Sequence, residues 1–345
     1  MLEHTVTAWM SRRRWLAAAA LSSLLVACAP MPGSTPASAA DPLPSWNAGP
    51  NKQRIVDFVR AVSTEGSKDF VPVADRVAVF DNDGTLWLEY PMYTQVRFVL
   101  DRIKDIAPQH PEWKDKEPFK SVIAGDIKGA MASGEKGLFE MLLAAQSGMN
   151  TEQFMELVRQ WDAVTRDPRF KRPYTELSYQ PMQEVLRYMR ANGFMTYIVS
   201  GGTVEFMRAF ALKVYGIPPE QVIGSRQKLA YEVKASGPEV MLLPQLDVNN
   251  DKAGKPTSIE AHIGKRPIAA FGNSDGDYQM LQWTSTAKGQ RLSMIVHHDD
   301  AAREFAYDRE SSIGRLALGL DNAKANGWQV ISMKNDWKII FQPAE

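Results

Sequence analysis

Apolar residues fall into two patterns along this chain. Short unbroken runs, Arg76-Val77-Ala78-Val79-Phe80, Thr196-Tyr197-Ile198-Val199, Pro267-Ile268-Ala269-Ala270-Phe271 and Leu292–Val296, have the length and β-rich composition of strands buried on both faces. Between them apolar positions recur at helical spacing. Asn51–Thr64 carries Ile55, Phe58, Val59 and Val62 on one face. Further helices are predicted over Gln95–Ile106, Phe119–Ala132, Leu138–Ser147, Thr151–Val164, Pro181–Ala191 (with Gly193 as its stop), Val204–Val214, Ser258–Ile263 and Arg315–Asn326. Val222–Leu243 reads as short strands and Trp328–Ile331 as a last one. The alternation predicts an α/β fold, a Rossmann-like parallel sheet covered by helices. Sites in such sheets lie at the carboxyl ends of the strands, and the three best runs end in polar residues, Asp81, Ser200 and Asn273.

Composition narrows the class. The 345 residues are 44% hydrophobic, with 40 basic against 40 acidic side chains. A balanced charge gives no electrostatic footprint for nucleic acid, and this mixture excludes a wholly disordered or polytopic membrane chain. One cysteine, Cys28, excludes an intrachain disulfide framework and a multi-cysteine metal site.

The position of that cysteine carries more than the count. Arg12, Arg13 and Arg14 precede an apolar run from Leu16 to Ala27, too short for a bilayer core that needs about 20 residues. Basic residues before a short apolar run form the first two regions of an export signal. The run closes in Leu25-Val26-Ala27-Cys28, which resembles a bacterial lipobox, with Cys28 lipidated as the mature N-terminus. The alternative is a plain signal cut near Ala37-Ser38-Ala39, and Ser11–Leu16 also resembles a twin-arginine motif, leaving the export route open. Ala29 after the cysteine resembles an outer-membrane sorting pattern. The expected organisation is a signal at 1–27, a Pro/Ser/Ala-rich tether at 28–50, an α/β core at 51–86 and 196–345, and a mostly helical cap at 87–195. Without the three arginines and one glutamate of residues 1–27, 37 basic and 39 acidic residues remain, a net charge of −2. The chain is therefore expected in the cell envelope, on its periplasmic face, held to the membrane by a lipid anchor only.

Four segments carry the chemistry: Phe80-Asp81-Asn82-Asp83-Gly84-Thr85-Leu86, Tyr197-Ile198-Val199-Ser200-Gly201-Gly202, Lys255 ahead of Ile259, and Phe271-Gly272-Asn273-Ser274-Asp275-Gly276-Asp277. In order and spacing they resemble the four signatures of the haloacid dehalogenase superfamily, over about Arg76 to Val296. The resemblance implies a phosphoryl-transfer site. Asp81 would attack phosphorus and form an aspartyl-phosphate. Asp83 would protonate the leaving oxygen and then deprotonate water. Ser200 and Gly201 would hold phosphoryl oxygens, and Lys255 would neutralise the nucleophile and the developing charge. It further implies Mg²⁺, a hard cation suited to oxygen ligands, on an Asp81 oxygen and the Asp83 main-chain carbonyl, with Asn273 and Asp277 completing the set.

One position departs from that pattern. Asn273 stands where the fourth signature carries an aspartate that binds the metal. An amide oxygen can ligate a hard cation but brings no charge, so Asp275 and Asp277 stay open as direct ligands. The carboxyl group of Asp83 favours phosphomonoester chemistry, because dehalogenases need no acid there and transport ATPases carry threonine. About 110 mostly helical residues between Thr85 and Val199 resemble the inserted cap of the family, and with Ser200-Gly201-Gly202 they resemble its phosphoserine phosphatase branch. Glu89 lies one residue off the spacing of that branch's cap glutamate. The expected activity is hydrolysis of a small phosphorylated metabolite. The alternatives are a catalytically silent lipoprotein that binds a ligand or envelope partner, and a phosphotransferase or mutase. Calcium loops at Asp81–Gly84 and Asp247–Asp251 fail at Met92 and Lys252, where Glu and Gly are required. His297-His298 is expected in a polar loop or helix cap, with the pocket wall or a metal site as alternatives. Oligomeric state is open.

Overall fold

Pro50–Ser63 (α1) starts on a proline whose fixed φ suits a first helical turn, and it buries Ile55, Phe58, Val59 and Val62 as the periodicity requires. Val77–Phe80 (β1) follows with every residue buried. The computed structural model describes residues 40–343; Cys28 and the export and lipobox readings lie outside them. From Asp41 onward the chain forms one unit.

After β1 come five helices: Thr94–Ile106 (α2), Phe119–Ala124 (α3), Ile127–Ala132 (α4), Gly134–Gln146 (α5) and Thr151–Val164 (α6). The single helix expected over Phe119–Ala132 is two, because Asp126 turns the chain and caps α4 by accepting from the Gly129 N–H at 2.9 Å. α6 starts with a reciprocal capping box between Asn150 and Gln153. Gln180–Ala191 (α7) packs against the next strand, Met195–Thr203 (β2). α7 therefore belongs with the sheet, and the expected cap of 87–195 is shorter at its C-terminal end.

Val204–Arg208 (α8) and Ala211–Tyr215 (α9) replace the one helix expected over Val204–Val214. The break at Ala209-Phe210 accompanies stacking of Phe210 on Trp87, with ring centroids 4.5 Å apart. Val222–Lys234 (β3) and Gly237–Val248 (β4) form one long antiparallel hairpin rather than short strands. Its inner part packs on α5, while Leu229, Tyr231 and Val233 further out are exposed. Then come Gly254–Ile263 (α10), Ala269–Gly272 (β5), Tyr278–Ser285 (α11), Leu292–Asp299 (β6), Ala306–Tyr307 (β7), Leu318–Asn322 (α12), Gln329–Ser332 (β8) and Met333–Asp336 (α13).

The sheet runs β4-β3-β2-β1-β5-β6-β7, with β8 also on β6. The pairs β1–β2, β1–β5, β2–β3, β5–β6 and β6–β8 are parallel. Successive β1 residues serve opposite cores: Ala78 and Phe80 face one cluster with Phe98 and Phe206, and Val77 and Val79 face another with Ile259 and Met280. Covering on both faces is why these strands read as unbroken apolar runs. The chain starts in the middle of the sheet, builds one side through β2 and β3, and then crosses to β5, so the topological switch point lies at the carboxyl end of β1.

Three further expectations change. The 28–50 tether ends earlier: Leu43 and Trp46 are fully buried, the Trp46 indole donates to the Pro181 carbonyl at 3.0 Å, and its ring packs edge-on against Trp337. Arg315–Asn326 is helical only over α12, because the Asp275 carboxylate takes the N–H groups of Ala317 and Gly319 and holds the preceding segment as a loop. His297 and His298 lie on β6 rather than in a loop. Among the described residues no helix is long and apolar enough to cross a membrane.

Candidate active site

Three parallel strands bring the site together. β1 delivers Asp81, whose N–H donates to the Phe271 carbonyl of β5 at 2.9 Å. Phe80 and Phe271 stack across that strand pair at 4.7 Å and fix the register behind Asp81. β2 carries Ser200, and β5 leads into Asn273. Lys255, near the start of α10, is buried with its ammonium donating to Asp81 Oδ1 and Asp277 Oδ1, both at 2.6 Å, and to the Val199 carbonyl at 3.0 Å. Asp81, Asp83, Ser200, Gly201 and Lys255 border one cavity of about 220 Å³, roofed by Tyr93, Leu138, Phe139 and Leu142 from the helical insertion. A larger cleft of about 370 Å³, bordered by Arg159, Arg172 and Lys213, contains none of these residues. The site is identified by its chemistry, not by volume.

Ser200 Oγ accepts the Gly202 N–H at 3.1 Å and stands 3.5 Å from Asp83 Oδ2. Asn250 fastens the turn by donating to the Ser200 carbonyl at 2.9 Å. Asp277 sits deeper than a mouth ligand. Its Oδ1 is taken by Lys255 and its Oδ2 accepts from the N–H groups of Asn273 at 3.0 Å and Ser274 at 3.1 Å. Both Asp277 oxygens thus accept hydrogen bonds that orient Lys255 and the loop, a task additional to the metal ligation expected of it. Asp275, the other open candidate, is committed to the 315–319 loop. Asn273 Oδ1 accepts from the Thr85 hydroxyl at 3.0 Å and its Nδ2 donates to Glu89 Oε1 at 2.6 Å. His298 is buried between Glu304 and the Gly84 carbonyl, to which its Nε2–H donates at 2.8 Å, so it steadies the first motif. His297 faces Asp308 at 3.2 Å.

Electrostatics explain what the arrangement lacks. Burial, the Asp277 charge and the Asp83 charge push the Asp81 carboxyl well above the usual range, although Lys255 opposes them. Burial raises Asp83 as well, against hydrogen bonds from Trp87 and the Lys255 charge. Glu89 is raised by burial and by Asp83. Burial alone would discharge Lys255, but Asp277 and Asp81 outweigh it and hold the ammonium charged. Four acids thus share one buried cation, which fits a site completed by a divalent metal. Among the described residues no three Asp, Glu, His or Cys side chains close into a metal cage by themselves, so a metal here would need main-chain or amide oxygens as well.

Trp87 belongs to the site and has no signal in the four motifs. Its buried indole N–H donates to Asp83 Oδ1 at 2.9 Å, and its ring is held by Phe210. That bond favours the ionised form of Asp83. Trp87→Phe removes the donor, raises Asp83 further and lets its acid form persist to higher pH. The limb of the pH–rate profile that reports Asp83 is expected to move to higher pH. An unmoved limb in the variant would show that Trp87 only fills space.

The family model for haloacid dehalogenase-like hydrolases matches residues 78–282. No curated protein matches the sequence. Similar solved structures include a conserved functionally unknown protein from Anaerococcus prevotii DSM 20548, at 18% identity and a TM-score of 0.49, covering 77% of this chain and 96% of that one. A protein with unknown function from Bordetella pertussis Tohama I has 13% identity and a TM-score of 0.46 over 74% and 98% of the two chains. A phosphoserine phosphohydrolase-like protein from Francisella tularensis subsp. tularensis SCHU S4 has 16% identity and a TM-score of 0.37 over 66% and 89%.

Proposed function

Because the chain belongs to the haloacid dehalogenase-like hydrolases, we propose that it is a Mg²⁺-dependent phosphatase of small phosphomonoesters, exported to the cell envelope and anchored through Cys28. The observation that carries the reaction is Lys255 pinned between Asp81 and Asp277 at 2.6 Å from each, with Asp83 beside them on the same cavity. Asp81 has a free Oδ2 as nucleophile, while its Oδ1 is held by the ammonium. Attack on phosphorus breaks the ester P–O bond, and Asp83 gives its proton to the departing alkoxide. The raised Asp83 suits that acid role. Asp83, now ionised, takes a proton from water, whose oxygen attacks the aspartyl-phosphate; phosphate leaves and Asp81 is restored. The Ser200 hydroxyl, with the Gly202 N–H bound to its oxygen, and the Gly201 main chain border the side where phosphoryl oxygens would lie. Held by the Asp81 carboxylate and the Asp83 main-chain carbonyl, with Asn273 beside them, Mg²⁺ would offset the charge of acids and phosphate together.

The cavity roof of Tyr93, Leu138, Phe139 and Leu142 is mostly apolar and leaves room for a small organic group. Purified protein should release inorganic phosphate from members of a phosphomonoester panel with Mg²⁺ and not after chelation. Absence of release from every ester, with Mg²⁺ bound, would favour the silent binding module; transfer to added alcohols in preference to water would favour a phosphotransferase. Anchoring is tested by labelling with radioactive fatty acid, which Cys28→Ala should abolish.

A further inference from the structure

The fourth motif lacks its acid at Asn273, and the neighbouring carboxylates divide sharply in what they have left to offer. Asp277 has both oxygens committed to Lys255 and to main-chain N–H groups, and Asp275 is committed to Ala317 and Gly319. Glu89 differs. It is 2% exposed, yet it borders the same cavity as Asp81 and Asp83. Its Oε1 accepts from Asn273 Nδ2 at 2.6 Å and from the Tyr307 hydroxyl at 2.9 Å. Among the described residues no hydrogen bond reaches its Oε2. Oε2 is not among the enclosed polar atoms that lack a partner, so it is reachable from the cavity, where a cation can meet it.

The backbone has been cleared for this carboxylate on two sides. Gly84 (φ 73°) and Gly314 (φ 58°) both approach it, and a Cβ at either would collide with Glu89 Oε1. The amide of Asn273 is oriented by the same contact, because reversing it would set an amide oxygen against a carboxylate oxygen. Glu89 therefore stands where the charge missing from Asn273 would be needed, and Asn273 holds it there.

We propose that Glu89 is the second anionic ligand of the divalent cation, with Asn273 as its positioning residue. The inference rests on the metal-dependent phosphatase reading above, and it assigns to this chain a ligand from the segment after β1 in place of one from the loop after β5.

The test is calorimetric titration of metal-free protein with Mn²⁺, without substrate. Glu89→Gln should weaken Mn²⁺ binding by about 10-fold or more. Adding Asn273→Asp to that variant should restore it, which a merely misfolded E89Q could not show. Glu89→Asp keeps the charge but retracts it, and should also bind Mn²⁺ more weakly. Should E89Q fail to fold, the Glu89→Asp result decides: wild-type affinity there overturns the proposal. Equal Mn²⁺ affinity in wild type and E89Q also overturns it. Failure of wild type to bind Mn²⁺ at all is a different result, and removes the phosphatase reading itself.

Discussion

Replacing Asp81 with asparagine is expected to abolish phosphate release, by at least about 10³-fold, while leaving a folded protein. No neighbouring group can substitute as nucleophile: Asp83 is held by Trp87, and Asp277 is locked behind Lys255. The same change is expected to raise the thermal midpoint of the metal-free protein at neutral pH. Asp81, Asp83 and Glu89 all have folded-state affinities for protons above their ordinary ones, so the folded form binds more protons than the unfolded form. Stability then falls as pH rises from the ordinary carboxylate range, about 4, through the raised values. Asp81→Asn removes one of the three acids and should flatten that slope, as measured by melting curves from pH 4 to 8. A wild-type midpoint that rises steadily with pH over this range would contradict the charge-excess account of the site.

Replacing Lys255 with methionine is expected to damage both activity and stability. Methionine matches the stem but donates nothing, so two carboxylate oxygens and the Val199 carbonyl lose their shared donor in a buried site. Breaking a buried ion pair from one side costs about 3–5 kcal/mol. Loss of a preorganised positive group facing developing charge costs a further 10²- to 10³-fold in kcat, roughly. The two effects separate in the double variant Lys255→Met with Asp277→Asn. Removing the cation together with one of its two carboxylate partners should recover part of the stability and none of the activity, by denaturant unfolding and by phosphate release. Recovery of activity would show that Lys255 is there to hold the fold together.

The fold and the motif residues were legible because each depends on local pattern. A strand buried on both faces must be an apolar run, and the first polar residue after that run marks the carboxyl edge of the sheet, so Asp81, Ser200 and Asn273 announce themselves. What failed were readings in which a distant partner overrides the local preference. The Arg315–Asn326 helix is curtailed by Asp275, forty residues earlier in the chain, and the Val204–Val214 helix breaks where Phe210 meets Trp87. Trp46 looks like part of a linker until Trp337 and the Pro181 carbonyl are seen around it.

By itself the sequence determined the α/β class and singled out Asp81, Asp83, Ser200 and Lys255, which the fold gathers around one cavity, because period and strand-end chemistry are properties of adjacent residues. Only the tertiary structure decided how the acids divide their work. Whether a carboxylate orients a lysine, clamps a loop or keeps an oxygen free depends on which donors the fold brings within 3 Å. Asp275, Asp277 and Glu89 are equivalent on the page of the sequence. In the folded chain the first holds the 315–319 loop, the second fixes Lys255, and the third keeps Oε2 toward the cavity.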